Sequence, residues 1–344
     1  MNEELDENLI LSIKNYAENV YVVHFATSIV GAFFNVPHLF ILSMKSMRES
    51  STNSLMIGIA ISDLIALFEN IFERIYLYWV LDNPCVNFAS YRWVLSLWIG
   101  DFVRESGERA SFWLGVFLAL TRLVIMKFPG SYSKISKPIL GYFLVILVLS
   151  ISSFHAARFY SNYVIAPQTY EWTPGRICTG FPTDYSETAY SQKFENLTER
   201  KDTIRSYEFV NGVSQVLVSV IYPVLALFLI YEVRKSAKFA AASLSKKSLD
   251  DRNRAGRMIL VMTVFYVIAS APGGASDFIE LFVIVNSLSV LEILVAYGSI
   301  MTSALFCLNA TSHSIINFTM SSKYRATVKS VLEYGKKDVR VVTV

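Results

Sequence analysis

The feature that most constrains this chain is a series of seven long apolar runs, each near the roughly 20 residues that a helix needs to cross a bilayer core. They are Val20–Met44, Asn53–Leu77, Leu97–Ile125, Pro138–Ala157, Glu208–Tyr231, Met258–Asp277 and Ser289–Met320. Backbone amides in hydrocarbon must be satisfied within their own segment or a closed barrel, so runs of this length predict helices. The third run is the least uniform, because Asp101, Arg104, Glu105, Glu108 and Arg109 interrupt it. The seventh is long, and its tail is expected to bend into a following segment. Charged residues make up 17% of the chain, against about a quarter in soluble domains, which argues against one large water-soluble core. The expected fold class is all-α, a seven-transmembrane helix bundle followed by a short amphipathic eighth helix.

Orientation follows from the Lys and Arg residues of the loops. One side carries Lys45, Arg48, Lys127, Lys134 and Lys137, the basic stretch Arg234–Arg257, and Lys323, Arg325, Lys329, Lys336, Lys337 and Arg340. The other side has fewer basic residues and carries Glu3, Glu4, Asp6, Glu7 and Glu18. This places the N-terminus outside and the C-terminus in the cytoplasm of a multi-pass plasma-membrane protein. Residues 1–19 form the extracellular N-terminus, 20–320 the membrane domain, and 321–344 the cytoplasmic amphipathic helix and tail. The acidic start lacks the basic n-region of a cleaved signal peptide, so the first span is expected to serve as the insertion signal. The net charge of +3 is segregated rather than excessive, and no nucleic-acid partner is expected.

Three details fit this topology. Cys85 and Cys178 both fall outside, where disulfides persist; a bridge would pin the second outer loop to the top of the bundle, and the alternative is two free thiols. Asn196-Leu-Thr198 is a glycosylation sequon in the same outer loop. In residues 321–335, Tyr324, Val328, Val331 and Leu332 share one helical face, while Lys323, Arg325 and Lys329 can reach membrane lipid headgroups.

Polar residues inside the spans carry the functional signal. Asp63 lies in the apolar run Leu55–Leu67, where a carboxylate costs about 2.5–3.5 kcal/mol on insertion scales and usually lines an internal site. Asn35 lies in the preceding run and Arg122 ends the following one. On α-helical spacing Asp101, Glu105 and Glu108 share one face, as do Arg104 and Glu108. These charges read either as internal ion pairs, such as Arg104–Glu108, or as the wall of a polar cavity. Asp277, Glu280 and Glu292 stand near the mouth at spans six and seven, and an acidic mouth attracts cations. Tyr76, Tyr78, Trp79, Trp93 and Trp98, near the same level, suit either a stacking site or an interfacial aromatic belt.

The arrangement resembles a rhodopsin-like G-protein-coupled receptor. The resemblance rests on Asn35 and Asp63 at the family's separation, on Ala60-Ile-Ser-Asp63, on Ser111 and Arg122, and on Pro223 and Pro272. More narrowly, Ser46–Asn53, Glu108–Leu114, Ala119-Leu-Thr-Arg122 and Asn309–Asn317 with Ser321–Arg325 are similar to the nematode serpentine receptors of class W. That class is similar to receptors for FMRFamide-like neuropeptides. The resemblance implies a receptor, not an enzyme, with a peptide ligand ending in Arg-Phe-amide and a heterotrimeric G protein as partner. It implies a ligand pocket of Asp101, Arg104, Glu105, Glu108, Asp277, Glu280 and Glu292. It places Asn35, Asp63, Ser111, Asn309 and His313 in a central polar network or sodium site, and Arg122, Arg252 and Arg254 at the G-protein surface. No other cofactor or metal is implied.

Several positions depart from the family's pattern. Thr121 stands where an acid usually precedes the Arg, Ser270 replaces a Trp, Arg252 replaces an acidic lock partner, and His313-Ser-Ile-Ile-Asn317 replaces Asn-Pro-x-x-Tyr. With no acid beside Arg122, basal signalling is expected. The rival readings are a chemosensory receptor for a small molecule and, less favoured, a transporter, for which the inverted repeats are missing. A retinal-binding opsin is excluded because Ser289–Met320 contains no Lys.

Overall fold

The computed structural model describes the backbone of residues 2–342 except 80–82, 129–131, 197, 242–245 and 283–289. Side chains are described outside 1–10, 236–259, 283–297, 334–344 and a few scattered positions. Seven long helices form the bundle: α1 (Asn2–Leu42), α2 (Ser51–Trp79), α3 (Tyr91–Lys127), α5 (Pro138–Tyr160), α6 (Arg200–Ala241), α7 (Lys246–Phe282) and α8 (Val290–Met320). A single turn, α4 (Tyr132–Ile135), precedes α5, and α9 (Ser322–Val342) follows α8. Among the described residues, five helices are long and apolar enough to cross a membrane: α1, α2, α3, α5 and α6.

The helices outrun the apolar runs. α1 extends back to Asn2, so residues 2–19 of the expected N-terminal segment are helical. α6 and α7 continue well into the basic stretch Arg234–Arg257 and leave only a short connection. α8 runs unbroken to Met320, and the helix is interrupted at Ser321, between α8 and α9. At the first two places the helices continue beyond the apolar runs, because an α-helix satisfies its backbone within its own segment in water as in lipid.

The burial pattern is that of a membrane protein. Phe33, Ile139, Phe154 and Leu227 are exposed on the outside, whereas Asn35, Asp63, Asn70, Ser270 and Asn309 are buried. Close helix approach depends on small residues. A Cβ at Gly141 of α5 would lie 2.4 Å from the backbone oxygen of Ser51, and one at Gly115 of α3 would lie 2.4 Å from the Tyr266 ring. In α7, the Ser270 hydroxyl bonds back to Tyr266 O at 2.7 Å, two residues before Pro272, and both features loosen the helix ladder there.

The long loop between α5 and α6 contains an element the apolar pattern did not announce. β1 (Tyr163–Trp172) and β2 (Glu187–Phe194) pair antiparallel, with Tyr163 opposite Phe194 and an irregularity between Pro167 and Glu171. Proline cannot donate to a ladder, which accounts for the break at that point. The hairpin is tied to the α2–α3 loop by the Cys85–Cys178 disulfide, whose Cα atoms are 5.4 Å apart. Tyr190 N to Ala89 O at 2.6 Å and Asn87 Nδ2 to Glu187 Oε2 at 2.9 Å add to that tie. At the other end of the bundle, α9 docks through Tyr324, whose hydroxyl is 3.0 Å from His38 Nδ1 of α1. Val328 and Val331 pack against the core, while Leu332, expected on the same face, is exposed.

Candidate functional site

At the hairpin end, α3, α6, α7 and α8 surround a cavity of about 190 Å³. Its polar wall on α3 is Arg104, Glu105, Glu108 and Arg109; α6 supplies Asn211 and Gln215, and α7 supplies Asp277. Phe112 and Phe306 form part of the apolar lining. The charges are organised around Arg109, whose Nη2 donates to Tyr207 Oη at 3.1 Å and to Asn211 Oδ1 at 3.0 Å. The Tyr207 hydroxyl in turn donates to Glu105 Oε2 at 2.8 Å, and Glu105 lies 3.9 Å from Arg109. Asn211 Nδ2 and Gln215 Nε2 both donate to Asp277 Oδ2, at 2.8 and 3.3 Å. Glu108 is less well served, because its Oε1 is shielded from solvent and has no hydrogen-bond partner among the described residues.

The expected Arg104–Glu108 ion pair is not the one that forms. Arg104 pairs with Asp101 at 3.2 Å, and Arg109 with Glu105. Asp101 is thereby drawn to Arg104 and does not line the cavity. Glu280 and Glu292 lie on α7 and α8, but their side chains fall outside the described residues. The aromatic group resolves as packing. The Tyr76 hydroxyl donates to Phe88 O at 2.7 Å, Trp93 rests on Tyr76, and Trp98 meets Tyr160 edge-on. Tyr78 is exposed, and the Trp79 side chain is outside the described set.

Sequence reasoning left Tyr207, Asn211 and Gln215 out of the site. Their signal was present: polar residues at i, i+4 and i+8 along a helix form one stripe. The apolar run starts at Glu208, one residue after Tyr207, so the run's boundary leaves out the first member of the stripe. Glu69 was also missed. Its carboxylate rests against Gly100, where a Cβ would lie 2.0 Å from Oε1.

One turn further along α3, Ser111 Oγ donates to Asp63 Oδ1 at 2.6 Å. His313 Nδ1 lies 2.7 Å from Asp63 Oδ2, and since a carboxylate only accepts, the imidazole is the donor. Asp63 and Ser111 have no solvent exposure and His313 almost none. Of the five residues expected in the network, these three meet. Asn35 sits apart and ties α1 to α8, its Nδ2 donating to Gly31 O and Ala310 O. Asn309 is buried, and neither of its amide atoms has a partner among the described residues. This donor set suits sodium poorly. A hard cation wants oxygen ligands, and His313 presents an imidazole N–H where an oxygen would be needed.

Arg122 ends the polar path. No ion pair is formed by it among the described residues, and its Nη2 meets only Met56 Sδ at 3.6 Å. Between it and Asp63 stand three stacked rings: His313 on Tyr266 at 5.3 Å, and Tyr266 on Tyr222 at 4.4 Å. Arg252 and Arg254 lie on α7 with side chains outside the described residues. Asn196 is exposed beyond β2, with Thr198 Oγ1 donating to its Oδ1 at 2.6 Å.

Comparison with known proteins agrees with this architecture. The G-protein coupled receptor dmsr-1 of Caenorhabditis elegans is 24% identical over 187 residues, which is 53% of this chain and 36% of that receptor. The match therefore spans about a third of the relative's length. The sequence model described as the serpentine-type 7TM GPCR chemoreceptor Srw matches residues 22–335. A seven-helix bundle with a polar cavity at one end, matched to that model over nearly its whole length, belongs to the Srw family of seven-transmembrane G-protein-coupled receptors.

Proposed function

We propose that this chain is a plasma-membrane receptor, N-terminus outside, for a peptide ending in Arg-Phe-amide, and that it signals through a heterotrimeric G protein. The observation that carries the reading is Glu108, a carboxylate in the cavity wall with one shielded oxygen and no donor for it. A buried acceptor left unmade costs about 1–3 kcal/mol, and a ligand guanidinium would recover that with a charge-assisted bond. Phe112 and Phe306 supply the apolar surface for the terminal ring. A cavity of about 190 Å³ takes one or two side chains rather than a whole peptide, so the rest of the chain would lie along the rim beside β1 and β2. Arg122, with Arg252 and Arg254, is assigned to the G-protein surface. Asp63 acts through its hydrogen bonds to His313 and Ser111 rather than through sodium.

The same small volume supports a second reading, a small cationic chemosensory ligand seated wholly inside. One experiment separates the two. Cells carrying a reporter of G-protein activation are exposed to amidated peptides ending in Arg-Phe and to small amines, with the wild-type chain and with Glu108→Gln and Asp277→Asn. The peptide reading expects a response to the peptide, weakened about tenfold or more by Glu108→Gln and weakened less when the peptide's Arg is replaced by citrulline. A response to amines alone, or a peptide potency indifferent to both substitutions, overturns it.

A further inference from the structure

A second, larger cavity of about 530 Å³ opens between the hairpin ends of α5 and α6. Its rim is mixed in charge: Arg158 comes from α5, Glu199 from the turn before α6, and Asp202 from the first turn of α6. Its floor is aromatic. His155 lies parallel to the Tyr207 ring at 4.9 Å and 7°, and Phe159 stacks on the same ring at 4.1 Å. His155 Nε2 is shielded and has no hydrogen-bond partner among the described residues, so the floor offers an unused polar atom. Below the rim the helices turn exposed apolar side chains outward, Ile151 and Phe154 on α5 and Phe209 and Leu217 on α6. The cavity therefore sits where acyl chains end and headgroups begin.

We propose that this cavity is a site for a zwitterionic phospholipid headgroup, a phosphate ester carrying an ammonium two carbons away. Arg158, which forms no ion pair among the described residues, takes the phosphate, as guanidinium forks do. Glu199 and Asp202 take the ammonium. The acyl chains run down the apolar faces of α5 and α6. The site is built to be felt elsewhere, because Tyr207 is a wall shared with the first cavity. Its ring floors the lipid site, while its hydroxyl holds Glu105 and Arg109. The proposal is independent of the nature of the receptor's own ligand.

The test uses the full chain purified in detergent, titrated with phosphatidylcholine, with phosphatidylglycerol (a phosphate without the ammonium) and with free phosphocholine. Bound adducts are counted by native mass spectrometry. The wild type is expected to retain one phosphatidylcholine in preference to phosphatidylglycerol. Arg158→Gln weakens that binding about tenfold, and Glu199→Gln with Asp202→Asn abolishes the preference. Equal retention of free phosphocholine and the lipid assigns the site to a soluble zwitterion of the same chemistry. Retention of phosphatidylglycerol as strong as phosphatidylcholine in the wild type, or phosphatidylcholine binding unchanged in Arg158→Gln, overturns the proposal. If the double variant fails to fold, the Arg158→Gln arm alone decides, because that side chain is exposed and holds no other element in place.

Discussion

Asp63 and Glu108 are both carboxylates inside the same helical bundle, Glu108 on α3 one turn before the Ser111 that meets Asp63, and the fold treats them oppositely. Asp63 comes from α2 and is met on both oxygens, by Ser111 from α3 and His313 from α8. Glu108 faces a cavity and keeps one oxygen without a donor. The difference separates two uses of a charge in a membrane. A saturated acid holds helices in one arrangement, since every bond it makes would have to be remade elsewhere. An acid short of donors holds nothing until something arrives to satisfy it.

The largest break in this comparison comes at His313. His313→Leu removes the donor to Asp63 Oδ2 and leaves a buried carboxylate with one bond, a change that costs about 3 kcal/mol or more. The melting temperature of the purified chain should fall by several degrees, and Asp63→Leu in the same chain should recover part of the loss. An unchanged melting temperature for the single variant would sink the claim that Asp63 is held by this pair. A smaller effect is expected at the open centre. Tyr207→Phe deletes the hydroxyl between Glu105 and Arg109, but Arg109 keeps Asn211 and a longer contact of 3.4 Å to Ser152 O. A loss near 1 kcal/mol is expected, and one as large as that at His313 would show the two centres to be alike.

The smallest effect lies outside the membrane, at the hairpin. Hydrogen bonds from Tyr185 and Asn87 hold the Glu187 carboxyl below its ordinary value of 4.5. A depressed folded value means that the stabilisation is present above the ordinary value and is lost as pH falls through the depressed one. Glu187 is close to the surface, so solvent screens most of the effect. Amide protection in β2, taken relative to the intrinsic exchange rate at each pH, should fall as pH is lowered below about 4, and Glu187→Gln should flatten that pH dependence. Identical profiles for wild type and variant would show that Glu187 does not tether the hairpin.

The bundle was legible because its code is coarse. Runs of apolar residues can be counted without knowing what they touch, and Asp63 stands out because such a run tolerates few charges. The meeting of Asp63 with Ser111 and His313 was implied only by the family resemblance, which grouped Asn35 and Asn309 with them as well. Partner choice among crowded charges was not. Asp101 and Glu108 both lie within helical reach of Arg104, and only packed side-chain geometry decides that Asp101 takes it. The hairpin was hidden for a different reason: β1 and β2 lie in a polar loop, where strand pairing leaves no long apolar signature. Tyr207 was lost to a boundary one residue too late, which shows how much a site can depend on where a helix is judged to begin.

α3 runs for 37 residues, about 55 Å at the usual rise, through a hydrocarbon layer of about 30 Å. It therefore leans or stands proud of the membrane, and it carries Glu108, Ser111 and Arg122 on one stiff rod. A small roll of such a rod, driven by a load at its exposed end, turns every side chain along it through the same angle. Cavity, centre and far end would then respond together, as marks on a shaft do, with no need for a message to be handed from ring to ring.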